Sequence, residues 1–80
     1  MSTEYFIRRQ DKLRTVLAEK KVDGMLITNM IHIKYLCGFG GSSGSLLMGP
    51  DTCEFITDGR YVVQSKNEVR GANITIDSIP

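Results

Sequence analysis

This 80-residue chain holds a single histidine, two cysteines and two prolines, and its ten basic residues nearly cancel nine acidic ones. Each scarcity excludes something. One histidine, His32, is too few for a histidine-rich metal cluster, and beside Lys34 on a short predicted helix it reads as a surface or packing residue. A net charge of +1 gives no electrostatic reason to expect nucleic acid as a partner. The basic residues Arg8, Arg9, Lys12 and Arg14 share a predicted helix with Glu4, Asp11 and Glu19, the pattern of a solvated face. No apolar run approaches the ~20 residues of a bilayer span, so no membrane partner is expected. The opening Met-Ser-Thr-Glu-Tyr lacks the charged-then-apolar order of an export signal, which makes a cytoplasmic location the expectation. Without an oxidising compartment, Cys37 and Cys53 are expected to be reduced, partly buried small hydrophobes. The length fits one small domain, which buries only ~60–65% of its extended-chain surface and has little stability to spare.

What the chain does have is a concentration of glycine and serine. Tyr35-Leu-Cys-Gly-Phe-Gly-Gly-Ser-Ser-Gly-Ser-Leu-Leu places four glycines and three serines between an amphipathic stretch and an apolar run. Around it the periodicities predict a helix over 4–21, with Phe6, Leu13, Val16 and Leu17 as its stripe, stopped at Asp23-Gly24. Met25–Thr28 is wholly apolar up to its last residue and predicts a strand buried on both faces. Asn29 is placed to cap a second helix over Met30–Leu36 with Ile33, Leu36 and Met30 on one side. Strands over 44–48 and 53–57 are joined by the turn sequence Gly49-Pro50-Asp51. Asp58 caps a third helix over 60–69, with Tyr61, Val62, Ser65 and Val69 as its stripe, and Asn73–Ile76 predicts a last strand. The order α-β-α-β-β-α-β is an α/β fold, a mixed sheet flanked by helices. Ile79-Pro80 follows that strand directly, so the chain is expected to be part of a longer domain, with an open sheet edge prone to self-association.

The loop carries the letters of several active sites. Gly40-Gly-Ser42-Ser-Gly44 matches the G-x-S-x-G serine elbow, but a strand must enter that motif and a helix leave it; here the order is reversed and His32 lies upstream. A phosphate loop ends in Gly-Lys-Ser/Thr, and no lysine stands between Lys34 and Lys66. A dinucleotide fingerprint counted from Gly38 meets Ser43 where its last glycine belongs. Asp51, Glu54 and Asp58 are near one another in sequence, yet Asp51 fits the turn and Asp58 the cap. No catalytic residue and no metal ligand is therefore assigned within the chain. Asp58-Gly-Arg60-Tyr61 admits two uses: Asp58 capping a helix with Tyr61 packed beneath and Arg60 paired locally, or Arg60 presenting its planar fork to an interface or substrate carboxylate.

Asn29-Met-Ile-His-Ile-Lys-Tyr35-Leu-Cys-Gly-Phe39-Gly-Gly-Ser-Ser-Gly44, followed by Phe55-Ile-Thr57-Asp58-Gly-Arg60-Tyr61, resembles the N-terminal domain of the creatinase/prolidase-like metallopeptidases. The basic opening helix and Asp23-Gly-Met-Leu-Ile-Thr28 extend the likeness from about Phe6 to Ile76. The resemblance implies a ribonuclease-H-like, non-catalytic N-terminal domain, present in part over residues 1–80, of an Xaa-Pro aminopeptidase or dipeptidase. It implies a second, C-terminal domain, absent from this chain, that holds two divalent metals (manganese or cobalt) and hydrolyses the bond preceding proline. Its implied partners are a proline-containing peptide substrate and a further copy of the protein in a dimer. The residues it marks for substrate gating or interface contact are Phe39, Gly40, Gly41, Ser42, Arg60 and Tyr61, with Phe39 either reaching outward from its glycine platform or folding back over Leu36. Creatinase carries an arginine near this loop for its substrate's carboxylate, whereas Gly-Ser-Ser stands here, which favours peptides over creatine. The rival reading is a stand-alone peptide- or protein-binding module of the same fold.

Overall fold

A computed structural model describes residues 3–77. Helix α1 runs Thr3–Glu19, strand β1 Met25–Ile27, helix α2 Met30–Cys37, strand β2 Ser45–Met48 and strand β3 Cys53–Asp58. A 3₁₀ turn at Gly59–Tyr61 leads into helix α3, Val62–Glu68, and strand β4 spans Asn73–Asp77. The expected alternation of elements is present. Ile79-Pro80 lie outside the described residues.

The four strands lie side by side in chain order: β1–β2 and β2–β3 antiparallel, β3–β4 parallel. The parallel step needs a crossover, and α3 supplies it. Register aligns Ile27, Leu46 and Phe55 across one face, with Met48 beside Cys53. These side chains, together with Ile33, Leu36 and Cys37 of α2 and Val69 after α3, form one buried core, against which Leu13 of α1 packs. The opposite face leaves Leu26 and Leu47 exposed.

Several elements differ from the sequence expectation. β1 is an edge strand and not one buried on both faces: only Ile27 is enclosed, because no described element covers the sheet face that carries Leu26 and Leu47. Helix α1 stops before Asp23-Gly24. Lys21 takes the left-handed conformation (φ 57°), and the Val22 N–H reaches back to the Leu17 carbonyl at 2.9 Å, the six-to-one bond of a Schellman ending. On the same helix Val16 is exposed and the buried polar residue is Gln10, whose Nε2 donates to the carbonyls of Leu36 (3.0 Å) and Arg70 (3.2 Å). One amide thus ties α1 to the ends of both other helices. Arg14 plays the same part for the hairpin, donating from Nε to the Gly49 carbonyl and from Nη2 to that of Thr52. Both cysteines are free and buried; burial pushes the Cys53 thiol up to about 11 and raises that of Cys37.

Phe55 lies fully buried at the centre of this core. Phe55→Ala is expected to cost about 3–5 kcal/mol, most of a small domain's stability. Leu47→Ala, on the open face, should cost about 0.5 kcal/mol. Urea midpoints of the two variants measure the difference, and equal midpoints would contradict this placement of the core.

Candidate functional site

The glycine-serine loop starts from a fixed point. Asn29 Oδ1 accepts the amides of Ile31 (2.9 Å) and His32 (3.3 Å), which caps α2 as expected. At the other end Gly38 turns into the left-handed region (φ 89°) and returns its N–H to the Lys34 carbonyl. A side chain there would be strained, and its Cβ would lie 2.8 Å from the Glu68 carbonyl oxygen.

From Gly38 the chain dives inward. Phe39 has no exposed surface; its ring lies 4.6 Å from that of Phe55, centre to centre, and meets Tyr61 edge-on at 5.3 Å. The outward reach considered for Phe39 is therefore corrected: the glycines around it allow the ring to enter the core, where burial of an aromatic is worth most. Gly41 lies against that ring, so that a Cβ would fall 2.6 Å from Phe39 Cε2 and 3.0 Å from Tyr61 Cε1. At Gly44 a Cβ would fall 2.8 Å from Phe55 Cζ.

Polar bonds then fasten the loop at successive residues. The Gly40 N–H donates to Glu68 Oε1 at 2.8 Å, and the same oxygen accepts from Gln64 Nε2. Ser42 meets the Tyr61 hydroxyl twice, through its Oγ at 2.5 Å and its amide at 3.3 Å. Thr57 Oγ1 donates to the Ser43 carbonyl at 2.8 Å. The two motifs that stand apart in sequence are one physical unit, with Thr57 and Tyr61 holding what lies between Gly38 and Gly44.

Arg60 is paired locally, with Asp58. Asp58 Oδ1 accepts both the Arg60 amide (3.0 Å) and its Nε (2.9 Å), while Oδ2 accepts Nη2 at 2.8 Å. This exposed two-pronged pair holds the Asp58 carboxyl down at about 2. The Tyr61 hydroxyl is also shifted downward, chiefly by the Ser42 hydroxyl. The exposed rim of the unit is thus Gly40, Ser42 and Arg60, with Gly41 and Tyr61 half-buried behind it and Phe39 beneath. Glu68 was not among the residues singled out from sequence. Its bond to Gly40 spans 28 positions, and nothing local marks it.

Among the described residues no three His, Cys, Asp or Glu side chains converge on a point. Asp58 is engaged by Arg60, and Glu54 accepts from Asn73 Nδ2. These residues do not fit a metal pair.

A four-stranded mixed sheet with helices packed on it is an α/β domain. The chain belongs to the Creatinase/Prolidase N-terminal domain family, whose pattern matches residues 9–78. It is 42% identical over 64 residues to the uncharacterized peptidase YqhT of Bacillus subtilis, covering 80% of this chain and 18% of that protein. Its fold matches the N-terminal domain of the cytoplasmic peptidase PepQ of Mycobacterium tuberculosis with a TM-score of 0.83 at 38% identity, over 88% of this chain and 55% of that one. The Xaa-Pro dipeptidase of Bacillus anthracis matches with a TM-score of 0.87 at 31% identity, over 94% of this chain and 21% of its own. The chain therefore spans about a fifth of these whole peptidases and about half of the separate N-terminal domain.

The depressed Asp58 pKa fixes the sign of a pH effect. A carboxyl held near 2 against an ordinary 3.8 contributes stability that is present above pH 3.8 and lost as pH falls through about 2. The melting temperature of the native chain should exceed that of Asp58→Asn by a constant margin above pH 5, and the margin should close toward pH 2. Because the pair is exposed, salt should shrink it too. Separately, Tyr61→Phe keeps the ring stack and removes both Ser42 contacts, so the Ser42 amide should exchange with solvent faster while the amides of β3 do not change.

Proposed function

We propose that this chain is part of the N-terminal, non-catalytic domain of a cytoplasmic Xaa-Pro aminopeptidase or dipeptidase, and that its glycine-serine loop forms a wall of the substrate cleft. The observation that carries this reading is the stiffness of the loop. A segment with four glycines should be among the most mobile in a small domain, yet Gly40, Ser42 and Ser43 each have a side-chain partner from a distant element. Rigid placement is what a wall needs, since substrate misplaced by an ångström costs up to about a hundredfold in rate.

The relatives support the peptidase class: one is a peptidase, one a cytoplasmic peptidase and one an Xaa-Pro dipeptidase. In this reading the hydrolytic chemistry, with its two divalent metals (manganese or cobalt), belongs to a C-terminal domain. The present residues bind no metal and move no proton. They limit how long a peptide is admitted and supply a surface on which a second protomer rests. Ser42 and Tyr61 offer hydroxyls at the rim, and Arg60, neutralised by Asp58, adds breadth without a free charge.

The test uses the full-length protein, Mn²⁺ and an Xaa-Pro-containing peptide, reading release of the first residue. Turnover is expected from that protein and none from the 80-residue chain alone, with or without metal. Gly41→Ala must push Phe39 or Tyr61 aside, so kcat/KM should fall about tenfold to a hundredfold at unchanged metal content. A full-length protein inert toward Xaa-Pro peptides would leave the binding-module reading in its place. An unaffected Gly41→Ala enzyme would remove the loop from the cleft.

A further inference from the structure

The arginines divide by how completely the protein uses them. Arg14 donates to two carbonyls and to Asp11, and Arg60 is matched by both oxygens of Asp58. Arg9 and Arg70 are different. Each spends one donor within the protein, Arg9 on the Tyr35 carbonyl at 2.8 Å and Arg70 on the Val69 carbonyl at 3.0 Å. Among the described residues neither lies within salt-bridge distance of a carboxylate, and nor does Lys34. All three line one open groove of about 740 Å³ between α1, α2 and the end of α3.

A guanidinium has five N–H donors, so most of the hydrogen-bonding capacity of Arg9 and Arg70 remains open to a ligand. Arg9 is also held in place. Its guanidinium carbon lies 4.3 Å from the ring centre of Tyr5 and 4.1 Å from that of Tyr35. An arginine clamped between two rings has already lost much of the side-chain freedom that binding would otherwise remove, and its planar fork fits a carboxylate with two parallel bonds. The groove adds apolar surface from Phe6, Ile31 and Tyr35, the last two exposed. Carbon-rich walls interleaved with cations suit a polypeptide bearing carboxylates better than a compact inorganic anion. The carboxylate of Glu68, also in the lining, disfavours a doubly charged phosphate.

We propose that this groove binds an acidic polypeptide segment, with Arg9 and Arg70 each gripping a carboxylate and Lys34 adding charge at the rim. The surface adjoins the loop's rim only at Gly40, includes neither Ser42 nor Tyr61, and requires neither metal nor turnover. Gly40 borders it, so occupancy should register at that amide, which is bonded to Glu68 across the groove lining.

The test is a binding titration of the full-length protein with a fluorescent tri-glutamate peptide at low salt, with tri-lysine and inorganic phosphate as the other arms. Tri-glutamate is expected to bind, tri-lysine not, and phosphate to compete only at far higher concentration. Arg9→Lys, which keeps the charge but loses the fork, and Arg70→Gln should each weaken binding about tenfold, the loss of one charged hydrogen bond. Arg8→Ala, on the exposed neighbouring position, should change it little. Circular dichroism establishes that each variant is folded; if one is not, the other decides. Unchanged binding by the folded variants, equal affinity for tri-lysine, or phosphate competing on a par with tri-glutamate would each overturn the proposal.

Discussion

The inward turn of Phe39 governs the arrangement of the glycine, serine, threonine and tyrosine residues around it. A ring of that size entering the core one residue after a helix ends requires the backbone to double back over it within a few residues. The room exists because Gly41 has no side chain against the Phe39 ring and Gly44 none against Phe55. Tyr61 completes the stack edge-on, the geometry aromatic quadrupoles favour, and its position in the stack brings its hydroxyl to Ser42. Thr57, on the buried face of β3, meets the Ser43 carbonyl from below. Glycine, serine, threonine and tyrosine in this region are thus consequences of one packing decision. The same decision explains why the loop has the composition of a ligand-binding loop while its glycines serve an interior.

That distinction sets the limit of what the sequence reveals. Features whose cause lies within a few residues were legible: Asn29 as a cap, Gly49-Pro50-Asp51 as the turn, and Asp58 as the cap of the segment that follows it. Their physics is short-ranged, and residue identity fixes it. Features that depend on distant partners were not. Met25 and Leu26 look like core from their hydropathy, and only the sheet order shows that they lie on an edge strand. Gln10 looks like surface until the carbonyls of Leu36 and Arg70 appear beside it. Lys21 ends α1 in a conformation usually left to glycine, because a six-to-one bond and not a breaker residue stops the helix. Phe39 is the sharpest case, since an aromatic among glycines fits an outward finger and a buried plug equally well until Phe55 and Tyr61 are placed.

The buried plug strengthens the reading of the loop as a wall. An outward Phe39 would have been a single flexible contact, free to swing at the cost of a rotamer change. An inward Phe39 anchors the backbone of its neighbours, so that what faces solvent is main chain, a serine hydroxyl and an arginine already neutralised. Such a surface contributes shape and hydrogen-bonding geometry with little charge, which suits the exclusion of wrong lengths more than the attraction of a particular side chain.

Charge sits elsewhere on the molecule, and Glu68 stands between the two regions. One of its oxygens secures Gly40 and Gln64, while its side chain lines the groove that holds Arg9, Lys34 and Arg70. A carboxylate arriving in that groove would come to rest beside Glu68, which lines it. Any resulting movement of Glu68 would act first on the Gly40 amide, the side-chain tie nearest the start of the loop. Stiffness of the wall and occupancy of the basic groove therefore share one side chain. Were the groove occupied as proposed, any coupling carried by Glu68 would run in both directions, since linkage is reciprocal.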